Sequence, residues 1–433
     1  MKSDQEYLLD GKDKHEVTEQ ESKSNRQSKL NYILLVTVIV FVAEIYVREP
    51  LTNFSDYIQE NLNFPYKCEI GDYLVWFKYK GKAVIFLFLF NISNIFVSLS
   101  LIFLDSFGIF ITGSIKLIYL DPRPFWRNEK LVPCTCATNY GSPSTTGLDI
   151  FLVCIVVYRG LINRSNNKWW KFMTYCFLII PQALAWISRF IQNLHTIHQL
   201  VFGALCGYII QYFYFEILEV DMTSSKQLKK LVNNTWLLAT ILITLVSWVF
   251  FNAIHYYFVE VHEKKYILNN ISNYCSLDME FYLFDNESYQ KTAKVFMFIG
   301  SIVGIMFEYW FVFDGDFERY DKYNMGENRW TETDEFKTFL RMAVMFVLGR
   351  ILLRLPKWGS IKRDEVFDLI ISKCIVKNFF KGYFYFYVIK VIFRWCSLSN
   401  ENSKAVENCC SNSLPSDEEN KETLIKKNKV ESN

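Results

Sequence analysis

Three short polar islands interrupt an otherwise apolar chain, and each carries groups that can handle an anion. The first, Lys116-Leu-Ile-Tyr-Leu-Asp-Pro-Arg-Pro-Phe-Trp126, separates Lys116 from Arg123 and Pro124 by six residues. The second is Gly141-Ser-Pro-Ser-Thr-Thr-Gly147, and the third is Ser188-Arg-Phe-Ile-Gln-Asn-Leu-His-Thr-Ile-His-Gln199. Lys116, Arg123 and Arg189 supply three fixed positive charges, and arginine offers phosphate oxygens two parallel hydrogen bonds. Ser144, Thr145 and the backbone N–H groups that begin the following helix add donors at the positive end of a helix dipole. His195 adds a nitrogen that is nucleophilic near neutral pH. This combination describes a phosphate site with a nucleophile in it.

The elements that must position these islands are membrane helices. Apolar residues make up 51% of the 433, aromatics 18% with 39 Phe and 26 Tyr, and charged residues only 21%. That balance disfavours a soluble multidomain enzyme. After a polar stretch over 1–29, expected to be a disordered cytoplasmic tail, the segment 30–47 is long enough to begin crossing a bilayer. With so long a polar stretch ahead of it, it reads as an uncleaved anchor. Further apolar stretches follow at about 83–104, 107–120, 147–163, 170–187, 197–218, 235–258, 292–313, 336–354 and 379–395. The expectation is an all-α polytopic bundle of nine or ten crossings, with a tight turn at Asp105 and Ser106 separating the second from the third. The segment 30–218 would be the core, 219–395 additional transmembrane helices, and 396–433 a polar cytoplasmic tail. Lys373, Lys377 and Lys381 recur every four residues, which predicts an interfacial amphipathic helix over 364–378.

Orientation follows from basic residues at helix ends. Lys23, Arg26 and Lys29, then Arg159, Arg164, Lys168 and Lys171, then Lys226, Lys229 and Lys230 all fall on one side, read as cytoplasmic. The opposite side receives 49–82, 121–146, 188–196 and 259–291, and with them all three islands. Sequons at Asn53, Asn270 and Asn286 fit lumenal or extracellular exposure, while Asn163 and Asn233 head sequons on the wrong side. Cys68, Cys134, Cys136 and Cys275 share the oxidising side and are able to form disulfides of undetermined pairing. The formal charge of +2, from 47 basic and 45 acidic residues, excludes nucleic-acid binding driven by bulk charge. The eleven cysteines lack a paired zinc spacing. Asp314-Gly-Asp316-Phe-Glu318 fails as a calcium loop because Arg319 stands where the glycine is required. Glu44 and Glu308, in apolar helices, read as bundle-facing polar contacts. Cys396 is a conceivable palmitoylation site, with a free thiol as the default.

The Lys, six residues, Arg-Pro pattern, the Pro-Ser pattern and the Ser-Arg, five residues, His pattern occur in this order on matching helix ends. Over about residues 80–218 the chain resembles the type 2 phosphatidic acid phosphatase superfamily, which includes lipid phosphate phosphatases, sphingosine-phosphate phosphatases, glucose-6-phosphatases and vanadium haloperoxidases. The His-Thr-Ile-His-Gln ending and the Arg-Pro-Phe-Trp run are more similar to the glucose-6-phosphatase branch. The resemblance implies a six-helix phosphatase-like core. Lys116, Arg123, Ser144, Thr145 and Arg189 would bind the phosphoryl group, His195 would attack phosphorus to form a phosphohistidine, and no metal or other cofactor would be needed.

Two positions depart from that pattern. Thr146 stands where the family has the histidine that protonates the leaving group, and general acid catalysis is worth roughly 10²–10⁴-fold. His198 and Asp149 are candidates to stand in, although His198 reads first as a hydrogen-bonded interface histidine and Asp149 as a buried partner of Arg123 or Lys116. Gln199 replaces the aspartate that orients the nucleophile; it can accept a hydrogen bond from the imidazole but brings no charge. The expectation is a metal-independent phosphomonoesterase of lipid or sugar phosphates in the endoplasmic reticulum, another endomembrane or the plasma membrane, with its site lumenal or extracellular. Oligomeric state is left open. The alternative is a catalytically silent relative that binds phosphorylated lipid or sugar. A transporter ranks behind both, because Gly/Pro-broken helices in repeated halves are not evident.

Overall fold

A computed structural model describes residues 3–62, 66–74, 85–87, 90, 95–159, 167–218, 236–254, 271–274, 291–320, 335–354 and 375–395. Among them there are helices and connecting loops and no strand. The helices are α1 (Ser3–Asn61), α2 (Ile95–Tyr119), α3 (Pro124–Arg127), α4 (Thr145–Val157), α5 (Lys168–Ile191), α6 (Ile197–Tyr212), α7 (Trp236–Ile254), α8 (Val295–Val312), α9 (Glu335–Arg354), α10 (Lys377–Tyr383) and α11 (Ile389–Trp395). Four helices among the described residues are long and apolar enough to cross a membrane: Ser24–Asn61, Ile95–Arg127, Ile197–Ile217 and Val295–Val312. The interfacial helix expected over 364–378 and the palmitoylation candidate Cys396 lie almost or wholly outside the described residues, as do Cys275 and all the sequons except Asn53.

Helix α2 is the centre of the bundle. Its apolar span is 78% buried, against 17% for that of α1, which presents most of its surface outward as a peripheral membrane helix does. α2 packs on α4, α6 and α8, while α1 packs on α6, and α8 carries α10 against its outer side. Residues 83–104 and 107–120, expected as two crossings hinged at Asp105 and Ser106, are corrected by this helix. It runs unbroken from Ile95 to Tyr119, since neither residue interrupts the backbone hydrogen bonds as proline would. α1 brings a second difference. Residues 3–29, expected to be disordered, and 49–61, expected in a loop, are both helical and continuous with the apolar segment, Pro50 included.

Among the described residues, two buried ionic groups join different segments of the bundle. Glu308 of α8 accepts from Lys390 at 2.8 Å and from Arg394, both of α11, so this carboxylate pairs with two cations inside the protein. The second group surrounds Asp121, just beyond α2. The segment Asp314–Asp316 is a helix cap: the Asp316 side chain accepts from the N–H groups of Glu318 and Arg319 at 3.0 and 3.2 Å.

The most extensive pairing among the described helices is α4 against α6, and glycine makes it possible. A Cβ on Gly147 would lie 2.1 Å from the Leu200 carbonyl oxygen, and one on Gly203 would lie 2.1 Å from that of Ser144. Small residues let the two backbones touch, and the contact fixes the second island against the third. Gly203→Ala therefore forces backbone apart from backbone, which a rotamer change cannot relieve. We expect destabilisation at the upper end of the roughly 1–3 kcal/mol range of overpacking, read as a lower melting midpoint of the detergent-solubilised protein, together with weakened binding of a phosphate mimic.

Candidate active site

The three islands meet at one end of the bundle. The first leaves α2 through Leu120, whose left-handed φ of 48° turns the chain sharply and costs a non-glycine residue roughly 1–2 kcal/mol. The second enters α4 with Ser144 as N-cap, its Oγ accepting the Thr146 N–H at 3.3 Å. The third joins α5 to α6 through Asn193, also left-handed at φ 60°. Backbone bonds stitch the islands to each other: Gly141 N–H to the Asp121 carbonyl at 2.8 Å, and Ser144 N–H to the Gln199 carbonyl at 2.9 Å.

A small aromatic core covers this junction. Phe125 and Trp126 are fully buried and pack with Leu131, Tyr140 and Leu194. The ring of Trp126 meets that of Tyr140 edge-on at 5.5 Å. The aromatic end of the first island thus shapes the loop that the basic residues grip. A disulfide joins Cys68 to Cys134 in the same loop, and Cys136 is disulfide-bonded as well.

Each sequence-predicted residue has a defined place. Lys116 is 1% exposed, and its Nζ donates to the Tyr140 carbonyl and, at 3.3 Å, to that of Gly141. Arg123 is buried, with Nε on the Asn139 carbonyl at 2.6 Å, Nη2 on the Asn139 side chain and Nη1 on the Leu194 carbonyl at 2.7 Å. Nη1 also lies 3.4 Å from His195 Nε2. Arg189 is half-buried; its carbonyl accepts the His195 N–H at 3.3 Å, and its guanidinium reaches Gln192 at 3.4 Å. Ser144 is wholly buried and Thr145 half-buried at the α4 N-terminus. Thr146 is buried, and its carbonyl accepts the Trp186 indole N–H at 3.2 Å.

His195 sits at the centre, 5% exposed. Burial is the main cause that holds its pKa well below the usual 6.5, and the cations Arg123, Lys116 and Arg189 add to it in that order. One cation from the first helix end, one from the following turn and one from the third island thus act on a single imidazole. A neutral imidazole keeps a nucleophilic lone pair at physiological pH.

Gln199 takes the orienting place. Its Oε1 lies 3.2 Å from His195 Nδ1 and accepts the Thr196 N–H at 3.3 Å, while its Nε2 donates to Asp121 Oδ2 at 2.7 Å and to the Pro122 carbonyl at 3.0 Å. His198, considered as a substitute acid, is engaged at both nitrogens: Nε2 meets Asp121 Oδ2 at 3.1 Å, and Nδ1 meets the hydroxyls of Thr196 at 2.8 Å and Thr52 at 3.1 Å. Its geometry is that of a buried tie between α6, α1 and the first island. Asp149 is buried on α4.

Sequence reasoning missed the far end of α1. Arg48 donates twice to Asp121 Oδ1, at 2.6 and 3.1 Å, and lies 4.8 Å over the Tyr119 ring. Ser55 accepts the Ile197 N–H at 3.1 Å, Gln59 donates to the carbonyls of Phe190 and His195 at 2.8 and 3.0 Å, and Asp56 pairs with Arg127 at 3.3 Å. A signal was present: Thr52, Ser55, Asp56 and Gln59 recur at intervals of three or four, one polar helical face.

The family model of the PAP2 superfamily matches residues 77–222, about one third of the chain, and this span contains all three islands. No curated protein and no solved structure matches the chain.

The electrostatics carry a spectroscopic consequence. In protein selectively labelled with ¹⁵N-histidine, the His195 ring should keep the shifts of a neutral imidazole as the pH falls through 6.5. A ring that charges near 6.5 would mean that neither burial nor the three cations hold its pKa down.

Proposed function

We propose that the chain is an integral membrane phosphatase that cleaves phosphomonoesters through a phosphohistidine on His195. The observation that carries this reading is the convergence of Lys116, Arg123 and Arg189 on a buried imidazole held from behind by Gln199. With His195 Nδ1–H donating to Gln199, the Nε2 lone pair attacks phosphorus, and the bond from phosphorus to the ester oxygen breaks. The departing alkoxide takes a proton from solvent or a nearby donor. Water then attacks phosphorus, the Nε2–P bond breaks, and phosphate leaves. Basic side chains neutralise the equatorial oxygens as charge develops there. Ser144 and the N-terminus of α4 complete the phosphate pocket.

The topology that accompanies this function has nine or ten crossings, with the site on the lumenal or extracellular face of an endomembrane or the plasma membrane. The Cys68–Cys134 disulfide beside the site supports that side, since such bonds persist in oxidising compartments. The substrate class is a phosphomonoester of a lipid or a sugar; an apolar cavity of about 580 Å³ between α1, α2 and α6, lined by residues such as Phe41, Phe103 and Phe213, lies on the halves of α1 and α6 remote from His195 and does not divide the two.

Thr146 supports a second reading, a silent pocket that binds phosphorylated ligands. A threonine hydroxyl does not donate a proton to an alkoxide near neutral pH as histidine does. One experiment separates the two: phosphate release by the purified full-length protein, without added metal, from phosphatidate, sphingosine phosphate, an isoprenyl diphosphate and glucose 6-phosphate. We expect release from at least one of these substrates, abolished by His195→Ala and raised by Thr146→His by roughly the 10²–10⁴-fold of a restored general acid. No release from any protein, with vanadate still bound by the unmutated one, would establish the silent pocket instead.

A further inference from the structure

Asp121 belongs to none of the phosphate-binding groups, yet it is 1% exposed and accepts four hydrogen bonds. Oδ1 takes two from Arg48; Oδ2 takes one from His198 Nε2 and one from Gln199 Nε2. A carboxylate can only accept. The end of the Gln199 side chain that faces it must therefore be the NH₂ group, and the carbonyl end is directed at His195 Nδ1. A carbonyl can also only accept, so His195 must carry its proton on Nδ1. The Nε2 lone pair is then left without a proton, 3.4 Å from Arg123 Nη1.

We infer that Asp121 is the positioning residue for His195, acting through the Gln199 amide to fix the imidazole as the Nδ1–H tautomer. In effect, the carboxylate missing from position 199 is supplied one hydrogen bond further away, with an amide as relay and Arg48 of α1 holding its far oxygen. Two other bonds of Gln199 agree with this polarity: Oε1 accepts from Thr196 N–H, and Nε2 donates to the Pro122 carbonyl. Asp121 accepts from His198 through Nε2 and so sets the opposite tautomer there. The two histidines of the third island would thus carry their protons on different nitrogens. The catalytic consequence rests on His195 being the nucleophile; the tautomer does not.

The test uses the full-length protein in detergent, labelled with ¹⁵N-histidine; the sequence has only five histidines, and His195→Ala and His198→Asn assign the two signals. The unmutated protein should show His195 as Nδ1–H and His198 as Nε2–H, a measurement that needs no variant to fold. Asp121→Asn offers Gln199 a donor in place of an acceptor. It should give His195 a population of the Nε2–H form and lower kcat by about 10–100-fold, the usual cost of losing an orienting partner, with KM changed little. Exchanging the two groups, Asp121→Asn with Gln199→Glu, rebuilds the chain with the carboxylate next to the imidazole and should restore both tautomer and kcat. His195 found as Nε2–H in the unmutated protein, or unmoved by Asp121→Asn with kcat intact, overturns the inference. If the tautomers behave as described and no substrate is hydrolysed, the inference stands and the phosphatase reading fails.

Discussion

The carboxylate of Asp121 is buried where water cannot solvate it, and each bond that compensates it constrains a different part of the protein. Arg48 ties it to α1, His198 and Gln199 tie it to α6, and the backbone carbonyl of the same residue receives Gly141 of the second island. An unpaired charge at this depth would cost several kcal/mol, so the first island, α1 and α6 are held in one arrangement by the need to satisfy a single carboxylate, and the carbonyl of the same residue adds the second island. The imidazole of His195 inherits its orientation from that arrangement.

Around this anchor the positive groups have two tasks. Lys116 and Arg123 donate to the carbonyls of Asn139, Tyr140, Gly141 and Leu194, which shapes the loop over the site, and they also place charge beside His195. In the proposed phosphate site, donors on a rigid frame would be preorganised for an anion before reaction. The close glycine contact between α4 and α6 and the aromatic core at Phe125 and Trp126 make that frame stiff. α1 completes it from outside: its apolar half faces outward, and its polar end from Arg48 to Gln59 is built into the site.

The islands themselves were plain in the sequence, because charged residues at helix ends in an apolar chain are costly and their spacing is specific. Gln199 was legible as a candidate orienter only through the resemblance, because it stands where that pattern has an aspartate. Three things were not. Asp121 lay inside the first island but between two better-known landmarks, and nothing in the spacing showed that it faced Gln199. The apolar run at 30–47 gave no sign that its helix continues through Pro50 and carries Thr52, Ser55 and Gln59 to the third island. Asp105 looked like a turn because it interrupts an apolar run, yet a single carboxylate near a basic neighbour, here Lys294 at 4.0 Å, does not stop a helix. Each miss is a tertiary contact overriding a local signal.

The central claim is that phosphorus is transferred to His195 Nε2. On the proposed mechanism a histidine at position 146 would both protonate the leaving group and activate the water of the second step, and Thr146 in that place would slow both. A substrate with a good leaving group, such as p-nitrophenyl phosphate, bypasses the first requirement and leaves the second. Rapid quenching into alkali with the ³²P-labelled ester should then trap close to one base-stable, acid-labile phosphate per chain, preceded by a burst of nitrophenol and absent from His195→Ala. Steady hydrolysis with no burst and no base-stable label would contradict the account.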